Sequence, residues 1–143
     1  MIAVDTNLLV YAHRADNEWH EPTLRHLLDL AEGRSRWALP WPCLHEFLAI
    51  VTHPRIYTPP SPLSSALSSL AAWLDSPSCV PIGEGPGYFE VLGDLVSKGR
   101  AIGGLIHDAR VAAICLYNGV TTLWTSDRDF SRFPDLKTFN PLI

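Results

Sequence analysis

Four acidic side chains far apart in the sequence, Asp5, Glu46, Asp108 and Asp127, combine type and position in a way that can do chemistry. Asp5 follows the apolar run Ile2-Ala3-Val4, and Asp127 follows the apolar stretch from Thr121 to Thr125. Both are expected at the carboxyl ends of strands, where open α/β sheets collect their ligands. Asp is also a favoured N-cap, so either acid taken alone is equally well read as the cap of the helix that follows. Glu46 and Asp108 fall inside predicted helices. The residues three and four positions from Asp108 are Gly104, Leu105, Val111 and Ala112, and those around Glu46 are Pro42, Cys43, Ala49 and Ile50. Both acids are therefore expected on core-facing stripes. A carboxylate so placed must be neutralised by a proton, a cation or a metal, because desolvating a lone charge is costly. Glu90 and Asp94, one helical turn apart and flanked by glycines, read as ordinary solvated acids. The structural alternative is an arginine partner for each carboxylate. A converging quartet would instead suit Mg²⁺ or Mn²⁺, hard ions that take oxygen ligands. Two such ions about 4 Å apart can activate a water and stabilise the leaving oxygen of a phosphodiester.

Other chemistries lack their residues. There is no glycine-rich phosphate loop ending in Lys-Ser or Lys-Thr, no Gly-x-Ser-x-Gly elbow and no His-Glu-x-x-His motif. The six histidines have no ligand spacing; His45 and His107, each directly before a candidate acid, are expected at the surface or behind the site. Cys43, Cys79 and Cys115 are isolated among apolar neighbours and read as reduced core residues. Of the five tryptophans, able in principle to stack on bases, most are read as core or interface residues, because Trp37, Trp73 and Trp124 lie in regular apolar patterns. The net charge of −4 counts mildly against nucleic acid, unless the acids hold cations that reverse the local sign.

The elements that must position these residues follow from periodicity. Strands are predicted at Ile2 to Val4, Trp37 to Leu39, Cys79 to Ile82, Thr121 to Thr125 and Leu136 to Phe139. Helices are predicted over Leu8 to Ala12, Glu21 to Glu32, Leu44 to Val51, Leu63 to Leu74, Tyr88 to Val96 and Leu105 to Tyr117. Pro40-Trp41-Pro42 and Thr58-Pro59-Pro60-Ser61-Pro62 read as connections, and Asp127 to Phe133 as a polar turn or short helix. Alternating strands and helices imply a mainly parallel sheet of four or five strands with helices on both faces. The 143 residues suit one domain, 1–143, with no membrane-spanning run; the opening residues lack a signal peptide, so a cytoplasmic location is expected.

Val4-Asp5-Thr6-Asn7-Leu8-Leu9-Val10-Tyr11-Ala12, Glu46-Phe47-Leu48, His107-Asp108-Ala109 and Thr125-Ser126-Asp127-Arg128-Asp129-Phe130 resemble the PIN-domain nucleases, and more narrowly the VapC toxins of bacterial toxin–antitoxin modules. The resemblance runs through the whole chain in order. It implies a three-layer α/β/α fold, Mg²⁺- or Mn²⁺-dependent cleavage of single-stranded RNA, a homodimer, and a VapB-like antitoxin that assembles with it into larger complexes. It also implies that Asp5, Glu46, Asp108 and Asp127 are the acidic metal-binding and catalytic positions, with Asp5 and Asp108 anchoring the principal ion and in-line attack leaving a 5′-phosphate. Thr6, Asn7 and Ser126 match supporting positions, and Asp129 is either a further ligand or a cap. Arg55, Arg110 and Arg128 are the basic residues nearest these motifs in sequence and candidates for holding phosphates. Two other readings stay open: an RNA-processing PIN nuclease without an antitoxin, and a non-catalytic RNA- or protein-binding scaffold. A haloacid-dehalogenase-like phosphatase is disfavoured, because Asn7 stands where that chemistry needs a second aspartate.

Overall fold

A computed structural model describes residues 1–143. The chain opens with β1 (Ile2–Val4) and turns at Asp5 into α1 (Thr6–His13), followed by α2 (His20–Glu32) and β2 (Trp37–Pro40). α3 (Trp41–Val51) and α4 (Leu63–Leu74) lead to β3 (Cys79–Ile82), and α5 (Tyr88–Gly99) and α6 (Leu105–Tyr117) lead to β4 (Thr122–Trp124). A 3-10 turn (Asp129–Arg132) precedes the last strand, β5 (Lys137–Phe139). No helix is long and apolar enough to cross a membrane.

The five strands form one sheet in the order β3-β2-β1-β4-β5, every pair parallel. From β1 the chain steps through β2 to β3 on one side, then crosses back to β4 and β5 on the other. Right-handed crossovers therefore put α1 to α4 on one face and α5, α6 and the 3-10 turn on the opposite face, the three-layer arrangement expected from the sequence. This reversal makes the gap between β1 and β4 a topological switch point, the place where loops diverge and leave a crevice. β2 and the middle of β1 and β4 are buried on both sides, with Ala3, Val4, Trp37, Ala38, Leu39 and Leu123 fully enclosed. Such near-continuous apolar runs are what a doubly covered parallel sheet requires. Pro81 is accommodated because β3 is an edge strand.

Several boundaries differ from the sequence reading for identifiable reasons. Pro40-Trp41-Pro42 is not a connection: α3 begins at Trp41, because a proline in the first helical turn gives up only an N–H that has no intrahelical partner. α5 runs on to Gly99, which lies so close to Phe133 that a Cβ there would come within 2.9 Å of the ring. Gly103, at φ +57, supplies the left-handed step from which α6 starts. The proline-rich connection is tied down from α1: Arg14 donates to the Pro59 carbonyl at 3.0 Å and sits 4.2 Å over the Tyr57 ring, while His13 bridges Ser61 and Ser69.

Candidate active site

Asp5 ends β1 and caps α1, with Oδ1 accepting from the Thr6 backbone N–H at 2.8 Å. Capping and site formation are thus not alternatives; the cap fixes the carboxylate's direction. Its other oxygen, Oδ2, accepts from the Thr125 hydroxyl at 2.7 Å, and the Cys43 thiol lies 3.5 Å from Oδ1. Thr125 follows β4 directly, so one hydroxyl spans the switch point between β1 and β4. The same oxygen accepts from the Asp127 backbone N–H at 2.9 Å and from the Asn7 side chain at 3.4 Å. A hydroxyl offers one donor and two lone pairs, and all three are engaged here. Thr125 therefore fixes both strand-end acids in one frame.

Glu46 projects from α3 and accepts from the Thr6 hydroxyl at 3.2 Å. The expectation that it lies on a core-facing stripe is corrected: the buried stripe of α3 is Cys43, Leu44, Phe47 and Val51, whereas Glu46 and Ala49 are exposed. Pro42, Ala49 and Ile50 border an open hollow, not the core, so apolar neighbours at helical spacing misreported its environment. Asp108 is half-buried and stands in the first turn of α6, not mid-helix, where the positive end of the helix dipole favours a carboxylate.

Asp5, Glu46, Asp108 and Asp127 line one pocket of about 650 Å³, together with Thr6, Asn7, His45, His107 and Arg110. Carboxylate oxygens of Asp108, Asp127 and Asp129 lie within 4.8 Å of one another. Asp5 and Glu46 belong to the pocket wall outside that tighter trio. The chain's ion pairs are Arg14–Asp16, Lys98–Asp94 and Arg110–Glu84, so no arginine or lysine neutralises any of these five acids. The salt-bridge alternative therefore fails.

The uncompensated charge shows in proton affinity. Burial pushes the Asp5 carboxyl up, against the pull of its hydrogen bonds to Thr125 and Thr6, and Glu46 adds to the rise. Asp108 is pushed up to about 6, first by burial and then by repulsion from Asp127, Asp129, Asp5 and Glu46. An all-oxygen donor set with excess negative charge and no internal counter-ion fits a hard divalent cation.

The sequence-predicted residues are distributed as follows. Thr6 and Asn7 line the pocket, but Ser126 lies behind it, its backbone N–H donating to Asn7 at 3.4 Å and its hydroxyl 3.5 Å from that of Tyr11. Asp129 is not the cap: the Asp127 carboxylate accepts from the Asp129 backbone N–H at 2.9 Å, and the Asp129 carboxylate is left free to join the trio. Arg110 lines the main pocket, and Arg128 lines an adjoining hollow that shares Gly104 and Asp108 with it; Arg55 is exposed and lines neither. His45 and His107, expected at the surface or behind the site, are exposed and line the pocket. Thr125 carried no role in the sequence reading, and a buried threonine at a strand end gave no chemical signal of its own. Cys43, assigned to the core, is indeed buried, and it also touches Asp5.

The PIN domain family model matches residues 2–136. Ribonuclease VapC43 of Mycobacterium tuberculosis is 36% identical over 142 residues, spanning 99% of this chain and 96% of that protein. Ribonuclease VapC33 of the same organism is 32% identical over 149 residues, spanning 99% of each. Among solved structures, VapBC2 from Rickettsia felis, bound to a DNA fragment from its promoter, is similar at TM-score 0.70 and 23% identity, covering 98% of both chains. With the acids gathered at the switch point and a likeness that extends from end to end, the chain belongs to the PIN-domain family, among relatives named as VapC ribonucleases.

Proposed function

We propose that the chain is a divalent-metal-dependent endoribonuclease that cleaves single-stranded regions of RNA, acting as the toxin of a toxin–antitoxin module. The observation that carries this reading is the set of carboxylates of Asp108, Asp127 and Asp129, within 4.8 Å of one another and without a basic partner, beside Asp5 and Glu46. These five residues would hold Mg²⁺ or Mn²⁺, and the ion when bound supplies Lewis-acid stabilisation of phosphoryl charge and acidifies water. The remaining work falls to the chain itself. Thr125 and the Thr6 N–H hold Asp5 rigid, and the Thr6 hydroxyl steadies Glu46. Arg110, fixed to Glu84 at 2.8 Å, presents a cation at the pocket wall, and Arg128 and Arg132 flank the adjoining hollow; together they suit the phosphates on either side of the scissile bond.

A VapB-like antitoxin, a homodimer and a cytoplasmic location complete the proposal. It is supported by the full-length likeness to VapC ribonucleases, and by exposed apolar side chains such as Leu63, Leu67, Phe89 and Ile102, which offer surface for partners to cover. The test is to incubate purified protein with single-stranded RNA in Mg²⁺, in Mn²⁺ and in chelator, alongside Asp5→Asn. Metal-dependent cuts bearing 5′-phosphates, lost in the folded variant, are expected. RNA left intact under both metals overturns the reading. Mapping cellular RNA 5′ ends with and without co-expression of the neighbouring gene then identifies substrate and inhibitor.

A further inference from the structure

One rim of the acidic pocket carries an aromatic pair that the acids do not explain. Trp41 and His45 stand one helical turn apart on α3, both exposed, with ring centroids 6.2 Å apart and planes inclined at 41°. His45 lines the pocket immediately before Glu46, and Trp41 continues the same side of the helix outward. The indole is not free to swing in every direction. Its Cδ1 lies against Gly83, where an added Cβ would come to 3.3 Å, so the loop after β3 supports one edge of the ring. The next residue, Glu84, anchors Arg110 on the pocket wall. In a chain that encloses Trp37 completely, Trp41 keeps 42% of its surface in water, outside the pocket lining but between Pro40 at the end of β2 and Pro42, which does line it.

We propose that Trp41 and His45 form a stacking platform for an unpaired base of the RNA strand that enters the acidic pocket. The inference rests on the nuclease reading, and it assigns this rim a role in substrate binding and cleavage-site choice. Single-stranded RNA is bound through unstacked bases laid on aromatic faces, and an exposed Trp beside a histidine supplies such faces next to a cation positioned for phosphate. The platform touches no reacting atom, so it acts on binding and leaves the chemical step to the carboxylates.

The test uses the full chain and a single-stranded RNA oligonucleotide containing a mapped cleavage site. Trp41→Ala is expected to raise KM roughly tenfold with kcat changed less than about threefold, and Trp41→Phe to restore KM to within about threefold of wild type. His45→Ala shifts KM in the same sense by less. In an Asp5→Asn background, which removes cleavage, RNA binding is expected to quench tryptophan fluorescence, and Trp41→Phe to abolish most of the quench. An unchanged KM in folded Trp41→Ala, or a quench that survives Trp41→Phe, overturns the platform. A Trp41→Ala protein that cleaves normally and loses only its inhibition by a co-purified antitoxin overturns it too, and makes the rim a protein contact. Wild-type protein that leaves RNA intact would remove the nuclease reading, while the quenching titration would still decide whether Trp41 meets a base.

Discussion

Replacing Asp108 by Asn should make the metal-free protein more stable while removing its response to divalent cations. Ordinary core substitutions destabilise, so the sign itself is diagnostic. Asp108 is pushed from 3.8 up to about 6 by burial and by four neighbouring carboxylates. Fully buried, that rise would correspond to about 3 kcal/mol of disfavoured charge at neutral pH. Asp108 is only half-buried, and solvent screening brings the recoverable part down to on the order of 1 kcal/mol. For a domain of this size that raises Tm by about 2–6 °C. The assay is a thermal melt at low salt, in chelator and then in MnCl₂, for wild type and Asp108→Asn. Wild type should gain Tm on adding the ion; the variant should start higher and gain little. Raising ionic strength should shrink the metal-free difference, because salt screens the carboxylate repulsion. A variant that melts below wild type in chelator, or that keeps the full Mn²⁺ response, refutes the reasoning.

Thr125→Val leaves the Asp5 carboxylate and the Asp127 N–H without their shared hydroxyl, so unfolding free energy by urea titration should fall by about 2–3 kcal/mol, with Thr125→Ser retaining most of it. The pH dependence follows from the raised Asp108: the folded state keeps a proton that the unfolded chain has released, so its contribution to metal-free stability is complete below about pH 4 and is lost as pH rises through about 6, and the raised Asp5 acts in the same direction. The Mn²⁺-induced Tm gain should run the opposite way, growing through the same window; a gain equally large below pH about 4 contradicts this. Burial pushes Cys43 well above the ordinary thiol range, Cys79 up to about 11 and Cys115 up to about 12, so alkylating reagents at neutral pH should label none of the three quickly until denaturant is added. Rapid labelling of Cys43 or Cys115 in the native protein would show that the core around Asp5 opens.

The strands and the longer helices were legible because their periods are unambiguous: Trp37 onward reads as a buried run, and Leu105 to Tyr117 as a helix with matching limits. So was the gathering of Asp5 and Asp127 at strand ends, since a parallel sheet sends its carboxyl ends to one side. What failed was local inference about environment. Glu46 has apolar neighbours at helical spacing, yet three of the four, Pro42, Ala49 and Ile50, border a hollow that three other segments create, and a single helix carries no record of what faces it. The start of α3 was misplaced because Pro42 breaks a helix interior but suits a first turn, two opposite meanings of one residue. Thr125 was invisible as a functional residue because its importance lies in partners 120 positions away at Asp5 and 118 away at Asn7.

The covalent order of the acids has a consequence for a chain whose finished form would attack RNA. Asp5 and Glu46 leave the ribosome early, whereas Asp127 and Asp129, together with the Thr125 hydroxyl that aligns the first of them with Asp5, are translated only after α6 has been made. Every nascent chain that stops short of Asp127 lacks at least two of the three carboxylates that sit closest together. Under the proposed toxin reading, synthesis order alone would delay RNA cleavage, and an inhibitor made alongside would have the duration of translation in which to be ready.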